Sequence, residues 1–426
     1  MKNRRIMQPA NPLLVGFQIE RLLAPAQALA VFSASAQLAA PRVESVALDQ
    51  AFERVLARPI RADRDYPDSA RSTMDGYAVS ASATPGMLRV IGEVVMGATW
   101  GGVLRLGQAV AIPTGGVVPD RADAVVALED VGVDRGDEIE VSQRVAPGQS
   151  ITAAGSDMRK GEVVLPVGRR IGAPELGVLA TMGVVEVPVF SRPRVALISS
   201  GDELVDPGVV ARPGQIRDSN RYAIGASLRA MGADPIPFPI VSDADGALES
   251  TLRKALVDCD AAVVSGGSSV GRRDRTPDAI AAAGRPGVLV HGLRIRPGKP
   301  TVLACIQGKP VVGLPGNPTS ALIVLEAVAA PIIAALTGAP PARAGEIAAL
   351  SGEPLAGREG WTFYLPVTLE NEGGRLLAHP LPLRSSHVSL PARAAGYIKL
   401  GERPFHIDAH QPVRVTRFLS GGDRTA

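Results

Sequence analysis

"VVSGGSSVGRRDRTPDAI", Val263 to Ile280, sets the fold of this chain. A β-branched apolar run ends abruptly at paired glycines and three serines. Charge follows, and then Thr-Pro opens a helical pattern. A buried strand that ends in a glycine turn before a helix is the usual setting for an anion held by backbone N–H groups. The flanking sequence repeats the same grammar. Strand-like "RVALISS", "PIPFPIV" and "PVVGLPG" alternate with helix-like "SNRYAIGASLRAMG", "GALESTLRKAL", "TPDAIAAAG" and "TSALIVLEAVAAPIIAAL". Strands alternating with helices predict an α/β region with a parallel sheet covered on both faces. Ser219 or Asn220, and Thr319 or Ser320, are the expected helix caps.

The texture differs on either side. Helical patterns are expected over 20–60 ("ALAVFSASAQLA", "LDQAFERVLARPI") and again within 150–191, where "APELGVLATMG" ends on Gly183. Residues 61–149 read as a small β unit, with short β-branched runs between Gly and Pro turns. The segment 192–340 is the α/β region. Residues 341–420 read as a second β unit, with a hairpin turning at Glu-Gly-Gly in "LENEGGRLL". A multidomain α/β plus β protein is the expectation, as 426 residues exceed what one core usually organises.

Composition narrows the function. Aromatic residues are 4% of the chain, too few for the stacking platforms of single-strand nucleic-acid binders. A net charge of +3 is too small an excess to imply a nucleic-acid partner, but it suits one anionic-ligand pocket. The two cysteines, Cys259 and Cys305, sit in apolar runs and read as buried thiols of a reducing compartment. The N-terminal apolar stretch is broken by Pro and polar residues, and no run of ~18 residues lacks Gly, Pro or charge. The expected protein is cytoplasmic, without a membrane span.

In open α/β sheets, ligands collect beyond the carboxyl ends of the strands. Four loops leave such ends here: Ser200 to Glu203, Ser242-Asp243, Ser265 to Asp274, and Pro315-Gly316-Asn317-Pro318. Carboxylates beside a phosphate repel it unless a hard cation such as Mg²⁺ lies between them, so Glu203, Asp243 and Asp274 are candidate metal ligands. Solvation or helix capping is the competing role of each. Gly266 to Gly271 has P-loop spacing, but Arg272 and Arg273 stand where Lys and Ser/Thr are required, which removes the nucleotide-hydrolase mechanism. In "RIRPGKP", Arg296 and Lys299 are candidate phosphate or oxyanion contacts. His406 and His410 in "HIDAH" lack the glutamate and the helix of a zinc-protease motif.

Read together, "STMDGYAV" (72–79), "PTGGVVPDRADAVVALED" (113–130), "ISSGDEL", "GQIRDSN", "VSGGSSVG", "RPGKP" and "GLPGNPTSA" occur in one order. In that order the chain, from about residue 46 onward, resembles the molybdopterin molybdenumtransferase family, the molybdenum insertases related to the gephyrin E domain. The resemblance implies an elongated helical segment, an inserted β domain, an α/β domain like that of molybdopterin adenylyltransferases, and a C-terminal β domain. It also implies a homodimer whose active sites lie between the α/β domain of one subunit and the inserted domain of the other. The implied reaction uses molybdate and adenylyl-molybdopterin, inserts molybdenum at the dithiolene and releases AMP, assisted by Mg²⁺. Molybdopterin adenylyltransferase and apo-molybdoenzymes are the implied partners.

Carried over by position, the resemblance implies catalytic roles for Asp75, Asp157 and Asp274. It implies substrate contacts from Thr114, Gly115, Ser265, Gly266, Gly267, Ser268, Arg296, Lys299, Pro315, Gly316, Asn317 and Pro318. Asp75 and Thr114 could equally serve local turn structure. Two departures stand out: "TAAGSD" carries Ser156 and lacks arginines before Asp157, and "GRRD" puts Arg272 and Arg273 before Asp274. The run "RDRTPDA" is closer to the adenylyltransferase branch. Adenylylation of molybdopterin, or binding it as a carrier without turnover, are therefore the alternative functions.

Overall fold

The computed structural model describes residues 22–135, 137–266, 275–341, 344–382, 387–401 and 406–419. Gly267, Ser268, Arg272, Arg273 and Asp274 lie outside the described residues. The chain divides into two compact units. One is built from the described parts of Met1–Val46, Glu53–Ala57 and Pro188–Ala426, the other from Ala47–Phe52 and Arg58–Val187.

The first unit contains the α/β region. Its elements are β1 (Arg194–Ser200), α1 (Asn220–Ala230), β2 (Asp234–Pro237), α2 (Ala247–Asp258), β3 (Ala261–Gly266), α3 (Thr276–Ala283), β4 (Pro286–His291), β5 (Val302–Ile306), β6 (Lys309–Leu314) and the long helix α4 (Pro318–Thr337). The sheet order is β2-β1-β3-β6-β5-β4. Side chains alternate across it with period two, so each face is apolar and each is covered. Val195, Leu197, Val263 and Val312 pack with Ile224 and Leu228 of α1 and Ile323 and Val324 of α4. Ala196, Ile198, Ala262 and Val264 pack with Leu248 and Leu252 of α2 and Ile280 of α3.

The expected purely parallel sheet is mixed. β2, β1, β3 and β6 run parallel, but β5 is antiparallel to β6 and β4 antiparallel to β5. The cause is local: β5 and β6 are joined by the tight turn Gln307-Gly308, too short for a crossover helix. α4 passes through a π-helical turn at Leu325–Ala329, where Glu326 is buried. Its two oxygens accept from Ser227 Oγ at 2.6 Å and from the Leu419 N–H at 2.8 Å. Of the most apolar window of α4, 78% is buried, as befits a core helix.

The same unit ends in a β-barrel. Thr362–Glu372, Arg375–Pro380, Glu346–Ser351, Pro412–Thr416 and Gly396–Leu400 pair in that order, and the last strand pairs with the first. The Glu-Gly-Gly hairpin is present, with Glu372 opposite Arg375 and both glycines at positive φ.

In the second unit, a six-stranded sheet has the order Ala124–Ala127, Gly76–Val79, Gln108–Ile112, Gly86–Glu93, Glu138–Val141, Val131–Asp134. The helix Ala173–Thr181 stops before Gly183, which has φ +69°.

The helix expected over 48–60 is absent. Only a 3₁₀ turn, Leu48–Gln50, forms there. Glu53 takes φ +60°, and Leu56 then forms an isolated antiparallel bridge with Val189: Phe190 donates its N–H to the Val55 carbonyl at 2.8 Å, and Ala57 donates to Pro188 at 3.0 Å. Tertiary pairing overrides a helical spacing of Ala51, Val55 and Leu56.

Candidate functional site

The sheet order reverses between β1 and β3, because β2 lies outside β1 while β6 lies outside β3. That is the switch point where an open α/β sheet forms a crevice. At its mouth Ser200 and Gly266 are register partners. A Cβ on Gly266 would stand 2.0 Å from the Ser200 carbonyl oxygen, and Gly266 has φ +112°. Only glycine fits.

The crevice opens into a cavity of about 900 Å³. Its described lining comes from residues 200–388. The predicted residues Glu203, Ser265, Gly266, Arg296, Lys299, Pro315, Gly316, Asn317 and Pro318 all line it. Three strand-end loops and the "RPGKP" turn, distant in sequence, therefore meet at one surface.

One side chain fastens two of these loops. The amide of Asn220, at the start of α1, donates from Nδ2 to Ser265 Oγ at 2.7 Å and to the Gly316 carbonyl at 2.8 Å. Ser219 holds the N-cap position of α1 but makes no side-chain cap bond; that bond comes from Asp218, whose Oδ1 accepts from the Arg221 N–H at 3.1 Å. Asp218 suits the role because α1 leaves its first N–H groups without helical partners. At α4 the N-cap position is Asn317, not Thr319 or Ser320, and Thr319 Oγ1 donates to the His387 carbonyl at 3.0 Å.

Carboxylates and cations meet at this crevice. The Glu203 oxygens lie 2.7 Å from where a Cβ on Gly201 would be, so a glycine there lets the carboxylate fold back over the turn. Asp243 is absent from the described lining. It reaches the crevice through Ser200, whose Oγ lies 3.4 Å from Asp243 Oδ1, while its own N–H donates to Asp202 Oδ1 at 3.1 Å. Arg217, Arg296, Lys299 and Arg358 bring positive charge to the lining. Such a wall suits phosphate or another oxyanion.

Sequence reasoning missed the barrel's contribution. Ile295–Arg296 pairs in parallel with Thr362–Phe363, and this brings Arg358, Trp361 and Phe363 to the cavity. The Arg358 guanidinium sits 5.6 Å from the Trp361 ring centroid. Nothing local in "GREGWTFY" signals this, because a long-range strand pairing creates it.

The remaining predicted residues that are described belong to the other unit. Asp75 Oδ1 accepts from the Thr114 backbone N–H at 2.7 Å and from its hydroxyl at 3.1 Å. These bonds, the backbone one first, hold the Asp75 carboxyl below its usual range. Gly115 donates its N–H to the Ser72 carbonyl at 2.8 Å. Asp157 is exposed, and its N–H donates to the Tyr66 carbonyl at 3.1 Å.

Known proteins match the chain over most of its length. Residues 23–183 match the family described as "MoeA N-terminal region (domain I and II)", and residues 196–335 match "Probable molybdopterin binding domain". A molybdopterin molybdenumtransferase of Nostoc sp. is 36% identical over 69% of this chain and 70% of its own length. Molybdopterin molybdenumtransferase 2 of Mycobacterium tuberculosis is 32% identical over 87% of this chain and 94% of its own. The crystal structure of the molybdopterin biosynthesis MoeA protein from Pyrococcus horikoshii superposes with a TM-score of 0.78 at 34% identity, covering 93% of this chain and 99% of that one.

Proposed function

The chain belongs to the molybdopterin molybdenumtransferase family, and on that premise we propose that its 900 Å³ cavity holds adenylyl-molybdopterin and molybdate as substrates. The protein is an enzyme of molybdenum cofactor biosynthesis that inserts molybdenum into molybdopterin. The observation that carries the site assignment is the meeting of Ser265-Gly266, Arg296-Lys299 and Pro315-Pro318 on one wall, tied by Asn220.

In this reading the phosphoanhydride that joins pterin to AMP lies along the glycine cradle, where backbone N–H groups and Lys299 offset its charge. Gly267 and Ser268 would extend that cradle. Arg296 and Arg358 take the oxyanion substrate, and Pro315 and Pro318 keep the adjoining loop rigid around Gly316 and Asn317. Insertion is accompanied by hydrolysis of the phosphoanhydride: a water oxygen bonds to one phosphorus as the bridging P–O bond breaks, which releases AMP and leaves the phosphate on the pterin product. Glu203, Asp243 and Asp274 offer only carboxylate oxygen, a donor set that suits Mg²⁺, and they would hold that ion beside the anhydride. When bound, Mg²⁺ neutralises charge as the anhydride breaks.

The working form in this reading is a homodimer. Asp75, Thr114, Gly115 and Asp157 of one subunit then complete the partner's cleft, with Asp75 ionised by its two bonds from Thr114. Transfer from a molybdopterin adenylyltransferase and delivery to apo-molybdoenzymes follow from the substrate and product.

Incubating the protein with adenylyl-molybdopterin, molybdate and Mg²⁺, then adding an apo-molybdoenzyme, tests the proposal. Reconstituted activity that needs all three is expected. ATP-dependent formation of adenylyl-molybdopterin would favour the adenylyltransferase instead, and tight binding without turnover a carrier.

A further inference from the structure

Trp361 and Phe363 are the aromatic residues of the described cavity lining, and the reaction outlined above leaves their rings without a task. They stand two apart on one edge of the barrel. Thr362 between them is 4% exposed, whereas Trp361 and Phe363 are only partly buried, the alternation expected of extended backbone. Beyond Cβ each of these side chains is all ring, so the pair presents flat π-surface to the cavity. An aromatic ring at such a wall forgoes part of its burial until a ligand covers it.

The surroundings place these rings beside the cations. Phe363 is the register partner of Arg296, and a Cβ on Gly357 would stand 3.1 Å from the Phe363 ring, so the preceding loop packs closely against it. The Arg358 guanidinium lies 5.6 Å from the Trp361 centroid, within range of a cation–π contact. Adenylyl-molybdopterin carries two flat heterocycles, adenine and pterin, on opposite sides of its phosphoanhydride. Either could stack on an aromatic side chain. The oxyanion decides between them. Arg296 and Arg358 take that oxyanion in the reading above, and the dithiolene that receives molybdenum belongs to the pterin half of the ligand. The heterocycle beside these two arginines is therefore the pterin, with the adenine beyond the phosphoanhydride. We propose that Trp361, with Phe363 beside it, is the shelf on which the pterin ring stacks, and that it selects the pterin half of the substrate. This deepens the functional reading and rests on it.

Calorimetric binding of adenylyl-molybdopterin and of AMP alone, both without molybdate, tests the shelf in wild type, Trp361→Phe and Trp361→Leu. Phe keeps a flat ring and Leu keeps only apolar volume, so the pair separates stacking from simple apolar contact. Affinity for adenylyl-molybdopterin should fall about 5- to 100-fold in Trp361→Leu, the equivalent of one lost stacked ring, and by much less in Trp361→Phe. AMP affinity should be unchanged in both, which also shows that the cavity is folded. Equal losses for adenylyl-molybdopterin and AMP would assign the shelf to the adenine and overturn the proposal. Equal losses in the Phe and Leu variants, or none in either, would overturn it too, because a flat ring would then carry no part of recognition. The same loss in Arg358→Gln, with the ring intact, would mean that Trp361 acts through Arg358, which also overturns it. Wild type that binds neither ligand would overturn the functional reading itself.

Discussion

Replacing Asn220 by Ala should loosen the whole cradle, and its cost can be worked from two bonds. The amide donates to Ser265 Oγ and the Gly316 carbonyl at 2.7 and 2.8 Å, and both Asn220 and Ser265 are buried. Each such bond contributes about 0.5–1.5 kcal/mol net, and stranding a buried acceptor adds roughly 1–3 kcal/mol. The expected loss is about 2–6 kcal/mol, or on the order of 5–20 °C in the unfolding midpoint of a domain this size. Binding should suffer separately, because the Gly266 and Pro315-Pro318 loops are no longer held in register. Asn220→Asp sharpens the test, since it keeps the shape, removes the donors and adds negative charge to an anion site. Urea unfolding and AMP binding by calorimetry would read both effects. An Asn220→Ala protein with wild-type stability and wild-type AMP affinity would refute the tie between the loops.

Other positions give independent outcomes. Gly266→Ala places a methyl group 2.0 Å from the Ser200 carbonyl at a φ of +112°, and should cost about 2–4 kcal/mol in urea unfolding. Glu326 has its pKa raised, chiefly by burial, so its folded form favours the proton. Stability from that group is full below the ordinary glutamate range and is lost as pH rises through the folded value. Glu326→Gln should therefore flatten the decline in melting temperature between acid and neutral pH. Of the two tryptophans, Trp361 lines the cavity, so ligand-induced fluorescence change should vanish in Trp361→Phe and persist in Trp100→Phe. If the site is shared between subunits, mixing inactive Lys299→Ala and Asp75→Asn proteins should restore part of the activity; no recovery would place both residues in one subunit's site.

Much of this architecture was legible in the sequence because its signals are local. Continuous apolar runs ending at or just before glycine turns marked β1, β3 and β6, and their loops converge as topology requires. The antiparallel β4 and β5 were not read, because short apolar runs such as "TVLACIQ" carry no orientation. Asn220 was noticed for its place before a helix and given the wrong task, since whether it caps or bridges depends on loops 45 and 96 residues away. Arg358 and Trp361 were invisible for the same reason: the pairing of Ile295–Arg296 with Thr362–Phe363 spans two folding elements. Asp218 lay in plain view in "GQIRDSN", but only the fold shows that its Oδ1 accepts from the Arg221 N–H at the start of α1.

Single-turnover AMP release from adenylyl-molybdopterin tests the central claim most directly, measured with and without molybdate and Mg²⁺ in wild type and Lys299→Ala. The account predicts AMP release that requires molybdate and the cation and is lost in the variant. AMP release indifferent to molybdate, or unchanged in Lys299→Ala, would contradict it.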